Sequence, residues 1–221
     1  MIEVNHLIRN FSDPSGRELR ALTVDNFRLQ KGEGAALIGP SGSGKTTFLH
    51  CLSGILAPTE GDILIEGRNI SAMTGEEILK WRASFVGYIF QKALLIPWLT
   101  VFENIEISAD MAGKKKSRSD IEAVLEKVGL GGYGKRMPAK LSGGEQQRAA
   151  FVRAVIREPQ LILADEPTSG LDYENSGILM NLLLSYQKEK GAMLICATHD
   201  PAVQNLFEKK FYLTKGGLPC T

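Results

Sequence analysis

The stretch Gly39-Pro40-Ser41-Gly42-Ser43-Gly44-Lys45-Thr46 follows the apolar run 34–38 and precedes a helical pattern over 46–55. A strand, a glycine-rich turn and a helix in this order are the context of a phosphate-binding loop. Glycine lets backbone N–H groups converge on phosphate oxygens, because any Cβ there would hold the backbone away. The helix N-terminus adds a partial positive charge. We therefore expect this segment to bind the phosphates of a nucleotide.

The residue types within this loop predict separate roles. Lys45 supplies a positive charge for the β- and γ-phosphates, and Thr46 presents a hydroxyl to Mg²⁺. The other nucleotide contacts are expected from Gly39, Ser41, Gly42, Ser43, Gly44 and Thr47. A glycine turn that only precedes a helix is the alternative, and the spacing and flanking pattern disfavour it.

Two carboxylates, Asp165 and Glu166, follow the apolar run 161–164. Doubly wound sheets bind ligands beyond the carboxyl ends of their strands, so Asp165 is expected to face the phosphate site as a magnesium partner, through water. Glu166 is expected to orient or deprotonate the attacking water. Pro167 is expected to restrict Glu166 to an extended backbone. An acidic pair is also typical of a loop or helix start, but the phosphate-binding loop in the same chain favours the functional role.

A second glycine-rich segment, Ser142-Gly143-Gly144-Glu145, begins a helical pattern over 142–157. Serine followed three residues later by glutamate matches a capping box. Two adjacent glycines cost helix stability, however, so a cap alone does not account for them. They expose backbone N–H groups at a helix N-terminus, which makes a second anion site. Two phosphate sites in different parts of one chain suggest that the second serves the nucleotide of another subunit.

The composition restricts the partners and the compartment. The 221 residues include 26 basic and 25 acidic ones, with a net charge of +1, which does not favour nucleic acid as the main partner. The 3 cysteines show no metal-ligand spacing and suggest a reducing compartment. No leader and no run of about 18 apolar residues is visible. The sequence therefore predicts a cytosolic chain that reaches a membrane only through another subunit.

The periodicity of apolar residues predicts an α/β fold. Strand patterns occur at 2–8, 22–29, 34–38, 62–66, 161–165 and 192–197, and helical patterns at 46–55, 76–81, 119–128, 142–157 and 173–190. Alternation of the two implies parallel strands with crossover helices. We expect one domain, 1–221, with a core of about 1–74 and 158–221. A mostly helical insertion, about 75–157, carries the Ser142 segment.

The segment Leu141-Ser142-Gly143-Gly144-Glu145-Gln146-Gln147-Arg148 resembles the signature motif of ABC ATPases. Other motifs of that family lie at matching places. Gln91 resembles the Q-loop glutamine that touches magnesium, Asp172 resembles the D-loop aspartate, and His199 resembles the switch histidine that contacts the γ-phosphate. Phe11 lies where the family places an aromatic ring against adenine. A core position at the end of a strand is the alternative for Phe11.

This resemblance implies the fold and the chemistry. The expected fold is the P-loop NTPase fold of the ABC type: a mainly parallel sheet, an N-terminal antiparallel β subdomain and an inserted helical subdomain. The implied cofactors are ATP and Mg²⁺, with Thr46, Gln91 and Asp165 at the metal. Catalysis is implied for Glu166, His199, Lys45 and Gln91. The form of the signature segment looks like the MacB/LolD/FtsE branch, whose small ATPases pair with a separate membrane subunit.

The resemblance also implies partners. In the ATP-bound state a head-to-tail homodimer would hold two ATP molecules, with Ser142, Gly143 and Gly144 facing the other subunit's nucleotide and Asp172 at the boundary. An integral membrane permease is expected to dock on the apolar stretch Gln91–Leu99, for which packing inside the insertion is the alternative. The chain would then lie on the cytoplasmic face of the cell membrane.

Two other functions stay open at this stage. One is a complex of the FtsE type that transmits force and transports nothing. The other is a soluble ABC ATPase that acts on DNA or ribosomes, which the absence of heptads and zinc ligands between Lys45 and Leu141 disfavours. The cargo is not encoded in this chain, because specificity belongs to the membrane subunit.

Overall fold

The structure is a computed structural model that describes residues 1–14, 16 and 18–214. The strands are β1 (Ile2–Ser12), β2 (Glu18–Leu29), β3 (Gly34–Ile38), β4 (Glu60–Ile65), β5 (Arg68–Asn69), β6 (Val86–Ile89), β7 (Leu161–Asp165), β8 (Met193–Thr198) and β9 (Lys209–Tyr212). The helices are α1 (Lys45–Leu52), α2 (Gly75–Phe85), α3 (Val101–Met111), α4 (Arg118–Lys127), α5 (Gly143–Val155), α6 (Tyr173–Lys190) and α7 (Pro201–Gln204). The predicted α/β class is confirmed.

The strands form two sheets. An antiparallel sheet has the order β2-β1-β4-β5, and a parallel sheet has the order β6-β7-β8-β3-β9. In the parallel sheet Ile89 lies opposite Ala164, Asp165 opposite Ala197, and Ile38 opposite Thr198. This register brings the carboxyl ends of β6, β7, β8 and β3 to one edge, so the loops that follow these four strands are neighbours.

Both faces of the parallel sheet are covered by apolar side chains. On β7, Leu161 and Leu163 pack into a cluster with residues of the antiparallel sheet and α1, whereas Ile162 and Ala164 pack into a cluster with α3, α4, α5 and α6. All five β7 residues are buried. A continuous apolar strand is typical of a parallel sheet covered on both sides. It also fixes Asp165 at the point where the covered strand ends.

The part of the chain expected to be helical contains helices and one strand. Helix α3 begins with a capping box at Thr100 and Glu103, and α4 with one at Ser117 and Asp120. The sequence analysis found neither α3 nor β6. Strand β6 pairs with β7 in the parallel sheet, so the range 75–157 is not helical throughout. The proposed division into 1–74 with 158–221 and 75–157 otherwise stays a prediction, and residues 215–221 lie outside the described part.

Within the described residues, no helix is both long and apolar enough to cross a membrane.

Substituting two glycines tests the packing between α5 and the parallel sheet. A Cβ on Gly87 in β6 would lie 2.9 Å from Pro159 Cγ and 3.1 Å from the carbonyl oxygen of Ala154. We expect Gly87→Ala to lower the free energy of unfolding by about 1–3 kcal/mol, because this space is already filled. The measurement is urea denaturation followed by circular dichroism.

The matched control is Gly177→Ala in α6. A Cβ there meets nothing within 4 Å, and alanine is the better helix former. We expect Gly177→Ala to raise the free energy of unfolding by about 0.5–1 kcal/mol. Equal changes in the two variants would contradict the packing described for Gly87.

Candidate functional site

A cavity of about 750 Å³ opens at the edge where the parallel strands end. Ligand pockets in proteins usually have volumes in this range. Its lining comprises Arg20, Ala21, Leu22, Thr23, Ser41, Gly42, Ser43, Gly44, Lys45, Thr46, Thr47, Gln91, Asp165, Glu166, His199 and Thr214. Most of the residues predicted for nucleotide, metal and catalysis therefore meet in one place.

Backbone crowding explains the glycines of the phosphate-binding loop. A Cβ on Gly39 would collide with the carbonyl oxygen of Leu213 and would lie 2.6 Å from Ser43 Oγ. Gly44 has a φ of 99°, and a Cβ there would lie 2.9 Å from the carbonyl oxygen of Ala21. Only glycine fits either position without a shift of the neighbouring backbone. The loop is thus held tightly between β2 and the segment after β9.

Lys45 is held inside the loop. Its Nζ donates to the carbonyl oxygens of Gly39 at 2.7 Å and Pro40 at 3.2 Å, and lies 3.6 Å from Glu166 Oε1. The residue is only 8% exposed. Its charge is therefore fixed at the floor of the cavity, where a phosphate oxygen can replace the carboxylate as its partner.

Asp165 lies at the end of β7 with a buried carboxylate. It accepts a hydrogen bond from the Thr46 side chain, while its Oδ1 has no hydrogen-bond partner. Burial raises the pKa of this carboxyl group, the Thr46 hydroxyl opposes the rise, and the charge of Glu166 adds to it. No salt bridge to Asp165 occurs among the described residues, and the charges of Lys45 and His50 offset only part of the rise in its pKa.

The donor set around Asp165 fits Mg²⁺. A hydroxyl from Thr46, an amide from Gln91 and the free Oδ1 of Asp165 are hard oxygen donors, which Mg²⁺ prefers together with water and phosphate oxygens. No group of three or more His, Cys, Asp or Glu side chains able to hold a metal occurs among the described residues. The set therefore fits a metal that arrives with a nucleotide better than an all-protein metal site.

Glu166 and His199 form a pair on the wall of the cavity. His199 Nδ1 lies 2.7 Å from Glu166 Oε2, and the His199 backbone N–H donates to the same oxygen at 3.4 Å. The carboxylate is thus in contact with both Lys45 and His199. The groups predicted to act on the attacking water and on the γ-phosphate are neighbours.

The predicted extended backbone conformation of Glu166 is wrong. Its φ is 46°, in the left-handed region, whereas the following proline predicts an extended conformation. Its N–H donates to the carbonyl oxygen of Ala197 at 2.9 Å, and its own carbonyl accepts from the Ser169 N–H at 3.0 Å. Such a conformation costs about 1–3 kcal/mol and persists only where the surroundings hold it, which is common at active sites.

Gln91 reaches the cavity from the loop after β6. Its Nε2 donates to Ser169 Oγ at 3.0 Å, and its carbonyl oxygen accepts from Gln147 Nε2 at 2.8 Å. The side chain thus faces the segment that follows Glu166, and the backbone is tied to α5.

Ser142, Gly143 and Gly144 lie outside the lining of the cavity. Ser142 is the N-cap of α5 and forms the predicted capping box with Glu145. Asn175 occupies the space that a Gly144 side chain would need, because a Cβ there would lie 2.5 Å from Asn175 Cγ. The N-terminus of α5 thus presents its N–H groups at a different place from the cavity.

Asp172 and Phe11 also lie outside the lining. Asp172 is the N-cap of α6, where its carboxylate accepts from the N–H and the Nδ2 of Asn175, and these bonds lower its pKa. Phe11 is 38% exposed on β1, with the Arg9 guanidinium 4.7 Å from its ring centroid. The alternative of a core position for Phe11 is not what the structure shows. Its contact with adenine stays a prediction.

Sequence analysis missed Arg20, Ala21, Leu22, Thr23 and Thr214 as lining residues. The apolar pattern predicts β2 as a strand, but no motif marks which of its residues approach the phosphate-binding loop. The close contact between Gly44 and Ala21 brings them there, and it depends on how the two sheets pack.

The raised pKa of Asp165 predicts that Asp165→Asn increases the free energy of unfolding by an amount that depends on pH. A carboxyl group whose pKa is raised by folding favours the folded state below its ordinary pKa of about 3.9, and this contribution is lost as the pH rises through the folded-state value. Without nucleotide or Mg²⁺ we expect the variant to exceed the parent in free energy of unfolding by about 1–3 kcal/mol at pH 8. The difference should shrink toward pH 5. The measurement is urea denaturation across this range with EDTA.

The matched control for Asp165→Asn is Asp172→Asn. Hydrogen bonds lower the pKa of Asp172, so its removal should give no gain at any pH. A gain in both variants, or in neither, would contradict the assignment of an unpaired buried charge to Asp165.

The sequence of this chain is similar to those of known proteins. A family model described as ABC transporter matches residues 22–169. The ABC transporter ATP-binding protein YtrE of Bacillus subtilis is 38% identical over 223 residues, covering 99% of this chain and 96% of the relative. The lipoprotein-releasing system ATP-binding protein LolD of Buchnera aphidicola is 43% identical over 180 residues, covering 80% of this chain and 79% of the relative. LolD lies in the branch that the signature segment predicts.

Solved structures show the same fold. The ATP-binding cassette MJ0796, in a dimeric post-hydrolysis state bound to ADP and Pi, has a TM-score of 0.91 at 31% identity, with 100% of this chain and 97% of that chain covered. CbiO1 from Clostridium perfringens, part of the ABC transporter complex cbiONQ, has a TM-score of 0.83 at 29% identity, with 99% of this chain and 86% of that chain covered. The expected fold is thereby confirmed. The chain belongs to the ABC transporter family, in which it is an ATP-binding subunit.

Proposed function

We propose that this subunit hydrolyses ATP with Mg²⁺ and drives a separate membrane permease through ATP-dependent closure of a head-to-tail homodimer. The observation that carries this proposal is the separation of two phosphate-binding features. The cavity holds Lys45, Asp165 and Glu166, whereas the glycine-led N-terminus of α5 lies outside its lining. A second subunit in the opposite orientation would bring the two together.

Lys45 and the loop backbone bind and orient the phosphates. The Nζ of Lys45 already lies in the cavity floor, so it needs little reorganisation to meet β- and γ-phosphate oxygens. Mg²⁺, held by Thr46, Asp165 and Gln91, supplies charge neutralisation at the phosphates. Phosphoryl transfer depends mostly on such positioning and charge stabilisation.

Glu166 positions the attacking water and accepts its proton. Its carboxylate is 15% exposed, fixed by His199 on one side and Lys45 on the other. When phosphate takes over Lys45, Glu166 keeps the contact with His199 and is free to accept from a water molecule in line with the γ-phosphate. His199 is 72% exposed and can reach the γ-phosphate from the same wall.

The surface for the second subunit includes Ser142, Gly143 and Asp172. Both Ser142 and Gly143 are exposed, and a Cβ on Gly143 would have its nearest contact at 3.8 Å, with Leu171 Cδ2. The backbone N–H groups at this helix end are accessible to an anion on another molecule. Asp172 lies beside them, joined through Asn175. MJ0796 is itself dimeric in the structure cited above.

The segment Gln91–Leu99 supports the proposal of a permease contact. Leu95 packs against the core cluster of the helical side, as the alternative reading expects, but Trp98 is 76% exposed and Leu94 57% exposed. Two large apolar side chains exposed four residues apart in one segment favour a surface for another protein. A permease bound here would hold the subunit at the cytoplasmic face of the cell membrane.

The proposed dimer is tested with Glu166→Gln. This change removes the base but leaves the phosphate contacts, so ATP stays bound. We expect size-exclusion chromatography to show a shift from monomer to dimer on addition of ATP–Mg²⁺, and no shift with ADP. Adding Lys45→Ala to the same chain should abolish the shift, because the nucleotide loses its fixed positive charge. A chain that binds ATP and stays monomeric would contradict closure driven by ATP alone.

The proposed permease contact is tested with Trp98→Asp. We expect this variant, expressed in native cells, to sediment with the membrane fraction at about one tenth of the parent level or less, because a charge replaces the aromatic anchor. The ATP affinity of the purified variant should stay within about twofold of the parent, since Trp98 lies outside the cavity lining.

The matched control is Tyr212→Asp, which changes an aromatic residue that is 57% exposed on the edge strand β9. Its membrane fraction should equal that of the parent. Unchanged sedimentation of Trp98→Asp, or equal loss in both variants, would contradict docking at Gln91–Leu99.

A further inference from the structure

We propose that Gln147 and Arg153 are positioning residues whose side chains fix the backbone of residues 90–94 to helix α5. The loop that carries Gln91 and the segment Gln91–Leu99 then move together with α5. This inference rests on the proposed function, because it assigns the mechanical link between its parts. Neither Gln147 nor Arg153 lines the cavity.

Gln147 holds the loop that carries Gln91. Its Nε2 donates to the carbonyl oxygen of Phe90 at 3.2 Å and to that of Gln91 at 2.8 Å. The residue is only 4% exposed, so its amide group makes these two bonds away from solvent. One amide group thus fixes the backbone of Gln91 while the Gln91 side chain faces the cavity.

Arg153 holds the next part of the same segment. Its Nη2 donates to the carbonyl oxygen of Ala93 at 2.9 Å, and its Nη1 to that of Leu94 at 2.6 Å. Leu94 has a φ of 44°, a conformation that residues with a side chain rarely adopt and that neighbouring contacts must hold. Burial lowers the pKa of Arg153 to about 10, and the guanidinium stays charged at neutral pH.

A second arginine extends this pattern to residues that precede the segment. Arg157 Nη1 donates to the carbonyl oxygen of Ala83, and Nη2 to that of Val86, at 3.0 and 2.7 Å. Side chains of α5 and its C-terminal extension therefore donate to backbone carbonyl groups from the end of α2 through β6 to Leu94. Such a series fixes the path of the chain without using the side chains of residues 83–94.

The geometry makes α5 a short rigid lever. Gln147 follows Gly143 by four residues, or about 6 Å along the helix axis. A displacement of the α5 N-terminus by a nucleotide on a second subunit is therefore passed directly to Gln91 and to Leu94. Motion at Leu94, four residues before the exposed Trp98, is passed through Arg153 to α5 and its N-terminus. Charged or amide donors forked onto two carbonyl groups keep such a connection in one geometry.

The test compares Gln147→Leu with the matched control Gln146→Leu. Gln146 lies on the same helix and donates to two other carbonyl groups, those of Pro138 and Leu141. Hydrogen–deuterium exchange without nucleotide is measured on peptides covering 89–99. We expect about tenfold faster exchange there in Gln147→Leu, since the carbonyl groups of Phe90 and Gln91 lose their donor and the loop opens more often. In Gln146→Leu the same peptides should exchange as in the parent chain.

A kinetic measurement separates positioning from a loss of packing. In the chain with Glu166 intact, Gln147→Leu should lower kcat for ATP hydrolysis by about tenfold and leave KM within about twofold, because Gln91 is misplaced while the phosphate-binding loop is intact. Arg153→Lys keeps the charge, but lysine cannot donate to the carbonyl groups of Ala93 and Leu94 with a planar fork. We expect this variant to speed exchange at 93–99 and to leave KM within about twofold of the parent. This second variant decides the matter if Gln147→Leu does not fold.

Three results would overturn the proposal. They are exchange at 89–99 equal to the parent in both Gln147→Leu and Arg153→Lys, equal acceleration in Gln146→Leu, or faster exchange with unchanged kcat. A parent chain that does not hydrolyse ATP would instead contradict the proposed function, and the nucleotide-free exchange experiment would still decide whether α5 anchors residues 90–94.

Discussion

Four neighbouring strands of the parallel sheet end at the same edge, and the candidate nucleotide site of this subunit depends on that register. The phosphate-binding loop follows β3, and His199 follows β8. Asp165 is the last residue of β7, and Glu166 comes directly after it. Gln91 lies two residues beyond β6. The strands β6, β7, β8 and β3 are adjacent in that order. A shift of one residue in any pair would exchange the side chains between the two covered faces and move a residue of the candidate site out of place.

The charges at this edge are arranged for a ligand rather than for the stability of the chain. Asp165 has a buried oxygen without a partner and a raised pKa, Lys45 is bound to carbonyl groups of its own loop, and Glu166 has a left-handed backbone. The unpartnered oxygen of Asp165 and the left-handed backbone of Glu166 each cost free energy in the absence of nucleotide and metal. The covered apolar sheet beneath them holds the arrangement, as all five residues of β7 show.

Local sequence predicts those parts of the site whose geometry is set by neighbouring residues. The capping box at Ser142 and the apolar strand before Asp165 are as predicted, whereas phosphate binding by the glycine-rich loop stays a prediction. The backbone of Glu166 departs from the conformation that Pro167 predicts, and hydrogen bonds to Ala197 on β8 and from Ser169 accompany its left-handed φ. Strand β6 was missed because its four residues are too short to show a period, and they become a strand by pairing with β7.

The sequence by itself determined the family, the α/β class and most of the residues that line the cavity, because motif spacing and apolar periodicity are local properties of the chain. Only the tertiary structure decided that the glycines at 143 and 144 lie apart from the phosphate-binding loop, that Phe11 is outside the cavity lining, and that Trp98 is exposed while Leu95 is packed. It also decided that Gln147 and Arg153 support the segment 90–94. These outcomes depend on contacts between residues far apart in the chain, and such contacts are set by the packing of helices on the sheet rather than by any local pattern.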